Sequence, residues 1–449
     1  MRIRTLFVAG LMACAAPDAT SDDTPPVDSD AGQVTLPTYG DLGEQVPFAE
    51  KSELSVYYDG IFAIWWYPEF DHAEEAIALG EQLQDIRARC LTELGMADPP
   101  NPAAGFYYNV YIHHGSDDAF PEGWGNGQGT DEFGMPYLTL PNGAHTDRGN
   151  VFHEGFHVFQ YEATAPGFEY ANDSQWYVEA SAQWFMADEL GDDVMAFIEA
   201  WALPMNPQLT LWHSFGNEVP GEPTDWNYQV RQYGIHTWLY YLTSQAGVDP
   251  DVITDGFYSG TTLLPQAYHA DRVGLEPLRG MFADWAARTT GGIDYLTPEQ
   301  VARAQQEFDW VGDPKNARPY VLELSDEGTD GMWRPADGDM ARGWSYNVVK
   351  VDTSAAASWT LNFEGDATGS AGGASHFELR WVMETADGFE WTPIAVTPEG
   401  ASDSTVVPVA GTEHLYVVIA SVPEVWEGNQ TYGYNLALTR SEVSASSAP

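Results

Sequence analysis

The spacing of apolar residues predicts a chain whose first part contains most of the helices. Apolar side chains recur every three or four positions in four segments, which is the period of an amphipathic α-helix. These segments are residues 71–94, 147–161, 175–190 and 231–245. A fifth helix is expected from Thr297 to about residue 308, because Thr-Pro-Glu-Gln forms a capping box with proline at the first helical position.

Short runs of aromatic and β-branched residues predict strands among these helices. The runs cover residues 55–58, 61–66, 106–112 and 135–141. The last run has proline near its start and at its end. We expect it to be an edge strand, because proline cannot donate a hydrogen bond to a neighbouring strand. Residues 115–134 are rich in Gly and Asp and are expected to form a loop.

A different pattern begins near residue 320. Seven β-rich segments follow, separated by Gly, Asp and Pro turns, with no helical segment between them; such a pattern is typical of a β-sandwich. They cover residues 344–351, 359–363, 376–383, 391–396, 405–409, 414–419 and 432–438. We therefore expect an α+β domain over residues 36–313, an all-β sandwich over 314–443, and a tail over 444–449.

Residues 1–14 have the features of an export signal. Arg2 and Arg4 precede an apolar run that is too short to span a membrane and that ends in Leu-Met-Ala-Cys14. This ending resembles the lipobox of bacterial lipoprotein signal peptides. The resemblance implies lipidation of Cys14 and a membrane-anchored protein of the cell envelope or surface; an ordinary secretory signal is the alternative. Residues 15–35, rich in Asp, Ser, Thr and Pro, are expected to form an acidic tether.

The charge balance excludes one class of partner. The chain has 67 acidic and 18 basic residues and a net charge of −49, which repels nucleic-acid phosphates. We interpret the excess charge as a solvated surface suited to a salty exterior. The cysteines are Cys14 and Cys90, so no disulfide framework is expected, and Cys90 is interpreted as a small buried apolar residue.

The candidate chemistry lies in the helix over residues 147–161, which contains His153-Glu154-Gly155-Phe156-His157. Histidines four residues apart lie on one helical face, where both can reach one metal ion. Glu154 lies one residue further round the helix and is placed to accept a proton from the metal's water. A third protein ligand is needed, with the fourth position left to water.

The motif and the sequence after it resemble the gluzincin class of zinc metallopeptidases, in particular secreted bacterial members. The resemblance rests on the HExxH motif, on the Trp-x-x-Glu-x-x-Ala-x-Trp pattern of residues 176–184, and on Tyr233-Gly234 before an apolar helix. It implies a zincin-like domain with a small mixed sheet and active-site helices. It also implies that His153, His157 and Glu179 hold a zinc ion.

The sequence also contains alternatives to Glu179 as the third ligand. The metzincin pattern fails, because Gln160 stands where it has Gly and Ala163 where it has its third His. The fallback third ligands are Glu162, Glu169 and Asp173.

The resemblance further implies catalytic roles. Glu154 is the general base of peptide-bond hydrolysis, and Tyr233 stabilises the oxyanion, with His236 and Tyr228 as rivals. Gln183 stands where many gluzincins have an Asp that holds a ligand histidine. An amide can accept that hydrogen bond but lacks the charge that raises the basicity of the ligand.

The strand over residues 135–141 is the expected substrate site. In the class that this chain resembles, an edge strand beside the zinc helix binds a protein or peptide in extended form. Tyr137, Leu138 and Thr139 are the residues expected to do so, through main-chain pairing.

Weaker features leave alternatives open. His113-His114 is interpreted as a loop feature rather than a second metal site, and His145 lies just before the zinc helix. Asp117-Asp118 and Asp131-Glu132 are candidate calcium ligands, with a solvated surface charge as the alternative. The sandwich aromatics are read first as core and second as a glycan site.

We thus expect a surface zinc endopeptidase. One alternative is a surface protein with an inactive or structural metal site that binds glycan or protein. The other is a zinc hydrolase of non-peptide amides or esters.

Overall fold

The computed structural model groups the chain into two compact units, Met1–Ala163 and Thr164–Pro449. It describes residues 54–99, 106–114, 126–131, 134–191, 193–214, 231–310, 321–322, 326–327, 332–351, 357–397, 400–408 and 411–442. The expected leader with Cys14, the tether, the domain boundary at residue 313, the tail and Tyr228 lie outside the described residues. These expectations therefore stay predictions.

The first unit contains a five-stranded mixed sheet and two helices, as the α+β expectation required. The sheet order is β1-β2-β3-β5-β4; β2, β3 and β5 are mutually parallel, and β1 and β4 are antiparallel to their neighbours. The elements are β1 (Ser55–Tyr58), β2 (Phe62–Trp66), α1 (Ala73–Thr92), β3 (Tyr108–His113), β4 (Gly127–Thr130), β5 (Pro136–Pro141) and α2 (Arg148–Gln160).

The expected edge strand is in the interior of this sheet, so that prediction was wrong. Strand β5, which carries Tyr137, Leu138 and Thr139, pairs with β3 on one side and with β4 on the other. Its prolines stand at its two ends, where a missing N–H interrupts no interior hydrogen bond. The edge is β4, whose sequence Gly-Gln-Gly-Thr has no apolar residue to mark it as a strand.

Packing between the two helices explains the glycine inside the HExxH motif. Helix α1 buries residues at three- and four-residue spacing, including Leu83, Ile86 and Cys90. A Cβ atom at Gly155 of α2 would lie 2.7 Å from Cδ1 of Ile86. Glycine thus allows α2 to approach α1 closely. The Asp147 side chain accepts a hydrogen bond from the backbone N–H of Asn150 and caps α2 at its start.

The second unit begins with helices, and the sequence predicted only part of them. They are α3 (Gln175–Glu189), α4 (Arg231–Gly234), α5 (His236–Ser244), α6 (Asp251–Thr254), α7 (Pro265–Val273), α8 (Leu275–Thr290) and α9 (Pro298–Trp310). The helix expected over 231–245 is divided in two at Ile235, and α6, α7 and α8 were not predicted. Among the described residues, no helix is both long enough and apolar enough to cross a membrane.

The capping box predicted at the start of α9 is confirmed. The backbone N–H of Thr297 donates to Oε1 of Gln300 at 2.9 Å. In return, the backbone N–H of Gln300 donates to Oγ1 of Thr297 at 3.2 Å. Two amide groups at the helix start, which have no partner within the helix, are satisfied in this way.

Antiparallel sheets follow in the same unit, and a strand overlaps each of the seven segments predicted for the sandwich. The strand expected over 405–409 begins earlier, at Ala401, and ends at Val406. The sheet orders are β11-β10-β13-β8 and β12-β9-β14-β7-β6. The strands are β6 (Asp326–Glu327), β7 (Trp333–Arg334), β8 (Ser345–Val351), β9 (Ala357–Gly365), β10 (Phe377–Thr385), β11 (Gly388–Ile394), β12 (Ala401–Val406), β13 (Thr412–Ser421) and β14 (Tyr434–Glu442). One buried cluster joins both sheets, with Leu361 from one sheet and Trp381 and Val417 from the other.

Within the second unit, backbone contacts hold the segment before α3 in place. The N–H groups of Thr164 and Ala165 donate to the carbonyl of Phe257, and that of Gly167 donates to the carbonyl of Thr261. A Cβ atom at Gly167 would overlap the carbonyl oxygen of Leu263. Glycine is therefore required at position 167 for this close approach of two backbone segments.

Replacing Gly167 with Ala should lower the free energy of unfolding by about 3 kcal/mol, because the backbone of Leu263 cannot move aside as a side-chain tip can. Chemical denaturation of the two proteins measures this change. Gly280→Ala in α8 is the matched control: a Cβ there meets nothing within 4 Å. The control should leave stability unchanged or raise it slightly. Equal stability of the Gly167 variant and wild type would contradict the packing described.

Candidate metal centre

Helix α2 directs two buried imidazole rings to one point. His153 and His157 are 5% and 2% exposed, and their Nε2 atoms lie 3.1 Å apart. The ring planes are inclined at 84° to each other. This arrangement follows from the four-residue spacing, because one helical turn stacks the two side chains on one face. Glu154, which directly follows His153 on the helix, is buried as well.

Gln160 orients the ring of His157 through the nitrogen that faces away from His153. Its Oε1 lies 2.5 Å from Nδ1 of His157, three residues earlier on the same helix. Because an amide oxygen only accepts, Nδ1 carries the proton and Nε2 presents its lone pair. From the sequence, Gln160 served only to exclude the metzincin pattern, and its contact with His157 was not predicted. The three-residue spacing from His157 was the signal that would have found it.

Glu179 completes a group of three donors. It lies on α3 and is 3% exposed. One ligand atom from each of His153, His157 and Glu179 lies within 4.8 Å of the others. Within the part of the chain that the structure describes, no other set of three His, Cys, Asp or Glu residues is arranged in this way. The group can hold a metal ion.

The fallback ligands do not belong to this group. Glu162 and Glu169 are outside it, as is Asp173, whose carboxylate accepts a hydrogen bond from the backbone N–H of Gly428 at 2.8 Å. For the weaker calcium expectation, Asp131 accepts a hydrogen bond from the N–H of Met135 and so closes a turn. Glu132 and Asp117-Asp118 lie outside the described residues, and calcium stays a prediction.

Tyr170 is a residue of this centre that sequence reasoning missed. Although 42% of the residue is exposed, its hydroxyl is hydrogen-bonded to Glu179, Gln175 and Gln232. Burial of the hydroxyl, and then the negative charge of Glu179, raise the pKa of Tyr170 far above its ordinary value. The phenol therefore stays protonated and can donate. No local pattern pointed to it, because it lies in a loop nine positions before Glu179.

Gln183 is paired with a carboxylate, although it is not one itself. Its Nε2 donates to Oε2 of Glu199 at 2.6 Å. Glu199 thus places a negative charge one hydrogen bond away from position 183.

The oxyanion partners expected from sequence lie on α4 and α5. Tyr233 is packed in an apolar cluster with Phe197 and Trp201. Nδ1 of His236 lies 2.8 Å from the carbonyl oxygen of Tyr233, and its ring stacks on Phe197. These contacts fix both side chains. Their roles in stabilising an oxyanion stay predictions.

Comparisons with known proteins do not assign the chain to a family. No model of a known protein family matches the sequence, and no curated protein matches it. Among solved structures, one similar chain is a family GH115 4-O-methyl-α-glucuronidase with specificity for decorated arabinogalactans. The similarity covers 66% of this chain and 42% of that chain, at 9% identity and a TM-score of 0.16. This chain thus spans less than half the length of that protein, and so low a TM-score supports no argument about function.

Replacing Gln160 with Ala should weaken metal binding by about 10- to 100-fold, because His157 loses the group that fixes its tautomer and orientation. Competition with a chelator of known affinity measures the change. Gln306→Ala, an exposed glutamine on α9, is the matched control and should bind metal like wild type. If both variants bound metal equally well, Gln160 would have no part in the centre.

Proposed function

We propose that this protein is a zinc-dependent metallopeptidase, and that it acts as an endopeptidase on extracellular protein or peptide. The observation that carries the proposal is the convergence of two imidazoles and a carboxylate, with Glu154 between the two histidines on one helix. A purely structural site has no need of such a carboxylate, whereas hydrolysis needs a base.

The donor set supports zinc as the metal. Zinc is bound by neutral imidazole nitrogen and carboxylate oxygen, and catalytic sites use three such ligands and leave the fourth position to water. Two nitrogens bound tetrahedrally at zinc distances lie about 3.3 Å apart. The 3.1 Å between Nε2 of His153 and Nε2 of His157 is close to this separation. No rearrangement of α2 is needed.

The chemistry follows from the positions of the side chains. A bound zinc ion would lower the pKa of a water molecule and polarise the carbonyl of the scissile bond. Glu154 accepts the proton of that water and then passes it to the leaving amine nitrogen. Tyr170 stays protonated, and we assign to it the transfer of its single O–H hydrogen bond from Glu179 to the developing oxyanion.

The edge strand that supports peptide binding is β4 rather than β5. Strand β4 pairs with β5 along one side, so its other side is the edge of the five-stranded sheet. Asn126, just before β4, and Asn150 of α2 exchange two amide hydrogen bonds of 2.7 and 3.0 Å. The edge is thereby attached to the helix that carries the histidines. An extended peptide can pair with such an edge through its main chain, with little dependence on sequence.

The cellular setting belongs to the same proposal. The lipobox ending at Cys14 and the acidic tether support a lipid-anchored enzyme of the bacterial cell envelope, or a secreted one. The net charge of −49 repels nucleic-acid phosphates and therefore favours a protein substrate over a nucleic acid. The aromatic residues of the sandwich are interpreted as core residues rather than as a glycan-binding site, because Trp344 and Trp381 are buried.

Glu154→Gln should reduce the rate of casein or peptide-library cleavage by about 10² to 10⁴-fold, because an amide cannot accept the water's proton. Zinc content, measured by elemental analysis, should stay at the wild-type level, since Glu154 is not a ligand. The conservative change keeps size and polarity, and the retained zinc shows that the fold is intact.

Two results would contradict the proposal. Cleavage by the variant at the wild-type rate would show that Glu154 is not the general base. Absence of bound zinc in both proteins would show that the three residues do not form a zinc site. A parallel assay with ester and non-peptide amide substrates separates peptidases from other zinc hydrolases. Activity on the ester and non-peptide amide substrates alone would assign the protein to the other zinc hydrolases.

Tyr170→Phe should lower kcat by about 10²-fold or more with little change in KM, because the lost hydroxyl acts on charge that develops only in the transition state. Tyr233→Phe is the matched variant and should affect kcat less. Steady-state kinetics on a fluorogenic peptide measures both. A larger loss of kcat in Tyr233→Phe than in Tyr170→Phe would assign the oxyanion role to Tyr233.

A further inference from the structure

A second pair of histidines faces each other in the first unit. Nε2 of His72, immediately before α1, lies 2.5 Å from Nε2 of His114, which directly follows β3. The two residues are 42 positions apart in sequence, so the fold and not helical spacing brings them together. Neither residue is a member of the group formed by His153, His157 and Glu179.

The ring of His72 is oriented by a carboxylate. Its Nδ1 lies 2.7 Å from Oε2 of Glu75, so Nδ1 carries the proton and Nε2 presents its lone pair to His114. Glu75 is itself buried and held in place. Its Oε1 accepts a hydrogen bond of 2.6 Å from the N–H of Gly143 and lies 3.3 Å from Nδ1 of His145.

The ring of His114 is oriented from two sides. It stacks on Phe70, with ring centroids 3.6 Å apart and planes inclined at 15°. The side-chain amide nitrogen of Asn142, which directly follows β5, donates to Nδ1 of His114 at 3.1 Å, so the proton of the ring is on Nε2. Metal binding through Nε2 therefore requires the Asn142 amide to rotate, so that its oxygen accepts from Nδ1–H. Both imidazoles are therefore held so that their Nε2 atoms converge. His153 and His157 show the same convergence at 3.1 Å.

We propose that His72 and His114 form a second metal site, which binds a borderline divalent cation such as Zn²⁺ or Cu²⁺ through their Nε2 atoms. Imidazole is the ligand type that these ions share. A carboxylate on the far nitrogen of a ligand histidine, as Glu75 is here, is the usual second partner of a metal-bound imidazole. His114 is half-buried, which leaves the remaining positions of the ion open to water.

The competing explanation is a single hydrogen bond, in which Nε2–H of His114 donates to Nε2 of His72. Two zinc-bound nitrogens lie about 3.3 Å apart, so the pair must open by about 0.8 Å to take the ion. A shift of the half-buried His114 ring along the face of Phe70, together with rotation of the Asn142 amide, provides this opening, whereas His72 is fixed by Glu75. Two protein ligands also make a weaker site than three, so the second ion should leave first on chelation.

Titration of the chelator-treated full chain with Zn²⁺, followed by calorimetry, tests the proposal by stoichiometry. Wild type should bind two ions, and the double variant His72→Ala, His114→Ala should bind one. The double variant His153→Ala, His157→Ala should also bind one, and this ion should be the weaker of the two. His376→Ala, in the second unit, is the control for incidental histidine binding and should not change the count.

Copper gives a readout that does not depend on the first centre. Cu²⁺ added to the His153→Ala, His157→Ala variant should show hyperfine coupling to two imidazole nitrogens by electron paramagnetic resonance. Adding Glu75→Gln to that variant should lower its affinity for copper by about tenfold, because His72 loses its carboxylate partner.

The outcomes separate the two sites. An unchanged stoichiometry on removal of His72 and His114, together with no two-nitrogen copper signal, would overturn the second site and leave the hydrogen bond. One ion in wild type, lost on removal of His72 and His114 but not of His153 and His157, would support the second site and contradict the proposed catalytic centre.

Discussion

The candidate metal centre depends on one constraint, that the imidazoles of His153 and His157 present their Nε2 atoms to a single point from one helix. This requires regular helix through the motif, and α2 is therefore capped by Asp147 and packed against α1 at Gly155. It also requires a defined tautomer, which Gln160 provides. Changes that bend or unwind α2 within the motif would separate the two nitrogens, although neither histidine had been altered.

Burial of Glu179 is a second constraint, in a chain already rich in negative charge. A buried carboxylate is costly unless hydrogen bonds or a cation compensate it. The hydroxyl of Tyr170 contributes one such bond. A divalent ion beside His153 and His157 would contribute most of the remaining compensation. The carboxylate, the tyrosine and a bound metal ion would thus stabilise one another, and we expect the loop that carries Tyr170 to be more rigid in the metal-bound protein.

Features set by local spacing were predictable from the sequence. The histidine pair follows from helical periodicity, the start of α9 from its capping box, and the sandwich strands from alternation. Features set by neighbours distant in the chain were not predictable. Strand β4 has two glycines and no apolar side chain, and is a strand only because β5 pairs with it. Tyr170 reaches Glu179 from an irregular loop, and Glu199 reaches Gln183 across 16 positions.

The same distinction explains why His113-His114 looked like an ordinary loop feature in the sequence. Its partner His72 and the orienting residues Glu75 and Asn142 come from three separate segments. No spacing rule connects them, so only the folded chain shows that the two rings converge. The first unit thus contains two pairs of facing histidines, one produced by a helix and the other by the fold.

Anomalous diffraction from crystals of the zinc-loaded full chain, recorded on both sides of the zinc absorption edge, tests the central claim most directly. The account predicts an anomalous peak about 2.0–2.2 Å from Nε2 of His153, Nε2 of His157 and a carboxylate oxygen of Glu179. A zinc-loaded crystal with no peak within bonding distance of these three groups would contradict it.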